Sequence, residues 1–106
     1  MNERYTDADL SRMVGPGWQK LVRPLRDEAN AKGITILQVK EKLGGLRFYA
    51  HPYDEGFQAL VNAAERASTT TCEDCGEPGT HRTDGWWRTS CDACEAIPQT
   101  PPRANG

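Results

Sequence analysis

Four cysteines in two matched pairs narrow the possibilities for this chain more than anything else in it. They are Cys72-Glu73-Asp74-Cys75 and Cys91-Asp92-Ala93-Cys94, with fifteen residues between the pairs. That spacing reads as a four-thiolate zinc site. Each Cys-x-x-Cys turns sharply enough to aim both sulfurs at one metal, and the stretch between can return as a hairpin. Four thiolates complete a tetrahedron around Zn²⁺ and leave no open position for water or substrate. One structural Zn²⁺ on Cys72, Cys75, Cys91 and Cys94 is therefore expected. Gly76 follows the second cysteine, where a positive φ lets backbone amides point at the thiolates.

Other uses of four cysteines fit less well. A redox dithiol needs a βαβ setting and one activated thiol, and neither pair lies between a strand and a helix. Two disulfides would need an oxidising compartment. The opening Met1-Asn2-Glu3-Arg4 lacks the greasy stretch of a signal peptide, and no apolar run reaches membrane-spanning length. A reducing bacterial cytoplasm is expected, and there cysteines favour metal over disulfides. His81 lies between the pairs, but the sulfurs already complete the set, so it is read as a surface residue or one behind the ligands. His51, before a proline at a strand end, reads as structural.

A chain of 106 residues fits one small domain, or one domain with an appendage. Its core is modest, and a metal would help to hold the second half together. The formal charge is -2; one Zn²⁺ adds two positive charges and four ionised thiols add four negative ones, giving about -4. That balance weighs against nonspecific nucleic-acid binding. Charge is uneven, however. Residues 34–53 set Lys40, Lys42 and Arg47 against Glu41, whereas residues 72–106 carry three basic and six acidic side chains.

Periodicity outlines the rest. Thr6-Asp7-Ala8-Asp9 reads as a capping box, and Gly15-Pro16-Gly17 ends the short helix it starts. Trp18, Leu21, Val22, Leu25 and Ala29 form the stripe of a second helix closed by Gly33, with a kink or restart expected at Pro24. Residues 34–43 and 46–50 read as a hairpin turning at Gly44-Gly45. Its faces conflict, because Ile34 and Ile36 oppose Leu37 and Val39; a bulge or burial on both faces would explain that. Asp54 caps a third helix with Phe57, Leu60, Val61, Ala64 and Ala67 on one stripe. The divisions expected are a helix, hairpin and helix core over 1–71, a zinc-ribbon-like module over 72–96, and a disordered tail over 97–106.

Two groups outside the cysteines could bind a partner. Trp86 and Trp87 read as part of a strand entering the second cysteine pair, which sends the indoles to opposite faces. One would cover the metal site and the other stand exposed for a partner; the alternative is that both pack. Lys40, Lys42, Arg47, Tyr49 and His51 form a basic, aromatic hairpin edge. It could touch phosphates with stacking from Tyr49, or it could simply guard an exposed strand. No Gly-rich phosphate loop, Ser/His/Asp set or paired-carboxylate site is present, so no enzyme activity is expected.

The string QVKEKLGGLRFY over 38–49, with Gly17-Trp18 before it and AERAS over 64–68 and CEDCGEPG over 72–79 after it, resembles a group of small phage- and prophage-encoded zinc-ribbon-like proteins. The resemblance covers residues 15–94. It implies a mobile-element origin and treats hairpin, helix and cysteine module as one unit, without bringing an activity. Phe is common in that group where this chain has Leu43, a change expected to matter for packing only.

The reading is an α+β protein in which helices flank a two-stranded hairpin and a zinc-ribbon-like module follows. Its expected role is a non-catalytic adaptor or inhibitor that binds a host protein, such as an enzyme or a defence component. The alternative is a nucleic-acid-binding zinc ribbon using Lys40, Lys42, Arg47, Arg82 and Arg88.

Overall fold

Helix formation begins where a side chain can accept the first orphaned amides. In the computed structural model, whose described residues are 5–96, Thr6 Oγ1 accepts from the Asp9 amide at 3.0 Å and Asp9 returns a bond to the Thr6 amide at 2.9 Å. This capping box opens helix Asp7–Met13 (α1). The tail expected to be disordered, 97–106, lies outside the described residues. A 3₁₀ turn, Pro16–Trp18, leads directly into helix Gln19–Lys32 (α2). No restart occurs at Pro24, because α2 runs through it without a break. Pro24 and Lys20 both face solvent, so water can satisfy the Lys20 carbonyl that Pro24 leaves without a donor. Gly33 closes α2 in the left-handed conformation at φ 71°.

Strands Thr35–Lys42 (β1) and Gly45–His51 (β2) form the antiparallel hairpin. A register shift between Ile36 and Gln38 makes Leu37 the extra residue of a bulge. That resolves the conflict of faces: Leu37 turns outward, while Ile36 and Val39 both face the core. The turn also lies one residue earlier than Gly44-Gly45. Its central residues are Leu43 at φ 54° and Gly44 at φ 79°, and Gly45 already pairs with Lys42. Two positive φ values are what a two-residue type I′ turn requires. A leucine held there costs about 1–2 kcal/mol of backbone energy. Since Leu43 is 55% exposed, the expectation that it matters for packing alone is corrected.

Helix Glu55–Ser68 (α3) starts at Asp54, whose carboxylate accepts from the Phe57 amide at 2.8 Å. Phe57, Val61, Ala64 and Ser68 are buried, but Leu60 faces solvent. A single hairpin can cover only a narrow stripe of α3, and Leu60 falls outside it. The three helices pack on one face of the hairpin, around Leu10, Trp18, Val22, Val39, Phe48 and Val61. The other face carries Gln38 opposite Tyr49 and Lys40 opposite Arg47.

Helix α3 also closes the outer edge of β2. Ser68 Oγ accepts from the Leu46 amide at 2.9 Å, and Glu65 Oε2 accepts from the Phe48 amide at 3.0 Å. Both Leu46 and Ser68 are fully buried. Ser68→Ala should therefore strand a buried N–H and cost about 1–3 kcal/mol in chemical denaturation. An unchanged midpoint and slope would mean that this edge is satisfied in another way.

Candidate metal centre

The chain after α3 builds two small turns that converge. Strands Thr80–Arg82 (β3) and Arg88–Ser90 (β4) pair antiparallel, and helix Asp92–Glu95 (α4) follows. In the first turn the Gly76 amide donates to the Cys72 carbonyl at 3.0 Å, with Gly76 at φ 85°. This is the turn that only glycine adopts without strain. In the second, Cys91 caps α4, its sulfur accepting from the Cys94 amide at 3.3 Å.

Together the turns bring Cys72, Cys75, Cys91 and Cys94 into one cluster, with all four sulfurs within 4.8 Å of one another. The Cys75 and Cys91 sulfurs stand 3.6 Å apart and none of the four is in a disulfide. Thiolates bound tetrahedrally at about 2.3 Å would lie about 3.8 Å from each other, so the cluster fits a metal ion. Cys72 is buried and Cys75 is exposed. Burial raises the Cys72 thiol, but amides of Cys91, Cys75 and Asp74 directed at its sulfur outweigh that and bring it down to about 7. Hydrogen bonding to the Cys91, Cys75 and Cys72 sulfurs pushes Cys94 up.

The cluster is fastened to the helical core through backbone. The Gly17 amide donates to the Glu73 carbonyl at 2.7 Å, and Trp18 Nε1 donates to the Thr71 carbonyl at 2.8 Å in the interior. Lys20 reaches the Gly76 carbonyl. On the other side, Thr89 Oγ1 donates to the Gly44 carbonyl at 2.7 Å and receives His81 Nδ1 at 3.1 Å. His81 thus belongs to the seam between the two hairpins and is not part of the sulfur cluster.

Among the basic residues considered for phosphate, Arg82 and Arg88 are already engaged. Arg82 donates to Asp92 at 2.8 Å, and Arg88 forms two bonds to the Glu95 carboxylate. With Arg88, then Ser90, bonded to it, Glu95 is held down to about 2. Lys40, Lys42, Arg47 and Tyr49 do meet on the open face of the β1–β2 hairpin. None of the ion pairs among the described residues includes Lys40, Lys42 or Arg47. His51 is exposed at the end of β2.

The tryptophans differ from expectation. Trp86 and Trp87 precede β4 instead of lying within it, and both are exposed, at 44% and 43%. Alternation therefore does not sort them to opposite faces, and neither is buried over the sulfurs. The first cysteine turn instead lies close against Gly15 and Gly17, where an added Cβ would fall 2.5 Å from the Glu73 carbonyl oxygen and 1.9 Å from the Cys72 carbonyl oxygen, respectively. Sequence reasoning missed that contact, together with Glu73, Thr89 and Glu95. Two glycines flanking a proline were the available signal for a close backbone approach; the other three carry none, being ordinary polar residues.

Compared with protein-family models, curated proteins and solved structures, the chain matches none. No helix among the described residues is long and apolar enough to cross a membrane.

Proposed function

We propose that Cys72, Cys75, Cys91 and Cys94 hold one structural Zn²⁺ and that the protein is a non-catalytic protein-binding module. In this reading it is a phage- or prophage-encoded adaptor or inhibitor of a host protein, acting in the bacterial cytoplasm. The observation that carries it is the closed sulfur cluster locked to the helical core, with Trp86 and Trp87 left exposed on the same small module. Soft thiolate donors in a tetrahedral set suit zinc, and four of them leave no position at which a substrate could bind. Metal analysis of purified, reduced protein should find one zinc per chain, released by chelator together with the fold of residues 72–96. Protein without transition metal, or with its sulfurs joined in disulfides, would overturn this.

A second reading, nucleic-acid binding, is favoured by the unpaired Lys40, Lys42 and Arg47. Against it, Arg82 and Arg88 are neutralised by Asp92 and Glu95. Phosphate contacts release counterions, so affinity for an oligonucleotide would fall steeply with salt. The expected result is weak binding with a shallow salt slope. A slope corresponding to about three or more phosphate contacts would favour the second reading.

A further inference from the structure

Leu43 is exposed, and it occupies a backbone conformation in which Asn or Gly would serve the turn better. Neither its backbone nor its side chain is placed to stabilise the folded chain. Strain of this kind concentrates where a residue is retained for contact. The turn that presents it abuts the cysteine module: a Cβ on Gly44 would lie 2.8 Å from the Arg88 amide nitrogen and 2.8 Å from His81 Cε1. Leu43 and Trp87 are the immediate chain neighbours of Gly44 and Arg88, so both exposed apolar groups stand at one seam.

The indoles there are held in place. The Arg88 guanidinium lies 4.9 Å from the centre of the Trp86 ring and donates to the Asp84 and Trp86 carbonyls at 2.9 Å each. Glu95 fixes it from the other side. His81 meets Trp87 edge-on at 5.9 Å, itself tied to Thr89. Rings ordered before binding lose little freedom on docking, which is the usual character of a binding anchor. Beside Leu43 run the unpaired cations: Lys42 next in chain, Lys40 two residues on, and Arg47, whose Nη1 lies 3.2 Å from where a Gly45 Cβ would be.

Resting on the protein-binding reading above, we propose that Leu43, Trp86 and Trp87 form one docking surface for an amphipathic acidic segment of a partner protein. Its apolar side chains cover these three residues and its carboxylates meet Lys40, Lys42 and Arg47. A nucleic-acid strand fits less well, because the exposed Leu43 offers no face on which a base could stack.

The test uses the zinc-loaded full chain and two synthetic amphipathic peptides with the same apolar face, one flanked by Glu and the other by Lys. Nuclear magnetic resonance should show the Glu peptide shifting the Leu43 methyls and the Trp86 and Trp87 indole signals, with affinity about tenfold or more above the Lys peptide at low salt. Leu43→Asn should keep zinc and keep or raise the melting temperature, yet weaken the Glu peptide by about fivefold or more. Lys40→Glu with Lys42→Glu should reverse the peptide preference. A Leu43→Asn protein that melts earlier would overturn the proposal by making Leu43 a folding residue. If the Glu peptide binds with equal strength to the wild type, Leu43→Asn and Trp86→Ala/Trp87→Ala, the surface is wrong while the protein-binding reading stands. Failure of both peptides at millimolar concentration also overturns the surface. Should an oligothymidylate, and neither peptide, shift these signals, the protein-binding reading fails with it. Shifts that grow with protein concentration alone would assign the surface to a second copy and overturn the acidic partner.

Discussion

If the four cysteines hold the proposed zinc, replacing Cys72 by Ser should release it and melt residues 72–96, a loss comparable to the whole stability margin of a chain this small. A structural zinc contributes about 10–16 kcal/mol of apparent binding energy, against a total folding stability of about 5–15 kcal/mol for typical domains. Cys72 is the most severe position because it is the buried cysteine of the four. The damage should extend past the cluster, since Trp18 bonds to the Thr71 carbonyl beside it. Cys75→Ser and Cys91→Ser should lose the metal as well, but Cys75 is exposed and its removal disturbs less packing. Metal counting with thermal denaturation, with and without chelator, checks the set. Any of these variants keeping one zinc per chain and an unchanged melting temperature would remove the metal from the account of the fold.

Gly17→Ala should be nearly as damaging although it touches no ligand side chain. A Cβ at that position would fall 1.9 Å from the Cys72 carbonyl oxygen, 2.5 Å from the Gly76 nitrogen and 2.7 Å from the Glu73 carbonyl carbon. All three are backbone atoms, so no side chain can swing aside. The methyl must push the cysteine module away from α2, breaking the Gly17–Glu73 bond and straining the one between Trp18 and Thr71. A loss of about 3 kcal/mol or more is expected. Gly33→Ala supplies the comparison: nothing lies within 4 Å there, and only its φ of 71° opposes a side chain. That substitution should cost about 1 kcal/mol. Equal costs at the two positions in urea titrations would mean that the module is not seated on Gly17 in solution.

Local pattern made much of this molecule readable before its structure. The Thr6 and Asp54 caps, the α2 stripe, Gly33 and the cysteine spacing all depend on residues within a few positions of one another. What escaped depends on distance along the chain. The Gly44-Gly45 pair suggested a turn, but the actual central residues are Leu43 and Gly44, and Gly44 fits against Arg88, 44 positions later. Leu37 could not be assigned a face until the bulge set the register with β2. The alternation argument for Trp86 and Trp87 assumed a strand that begins only at Arg88. At Pro24 the restart does not occur, and on a helix face open to water the Lys20 carbonyl left without its donor can be hydrated. For the candidate metal centre, the convergence of the four cysteines was legible in the spacing; the close approach of Gly15 and Gly17 to the Cys72–Glu73 backbone and the charge pairing around Glu95 were not.

The Ser68 and Glu65 bonds that occupy one border of the hairpin make the little sheet directional. Any visiting strand must align along β1, because the opposite border has already been spent on α3. Association through the sheet can therefore pair molecules but cannot string them together, since a joined unit offers no second border on which the next could grow.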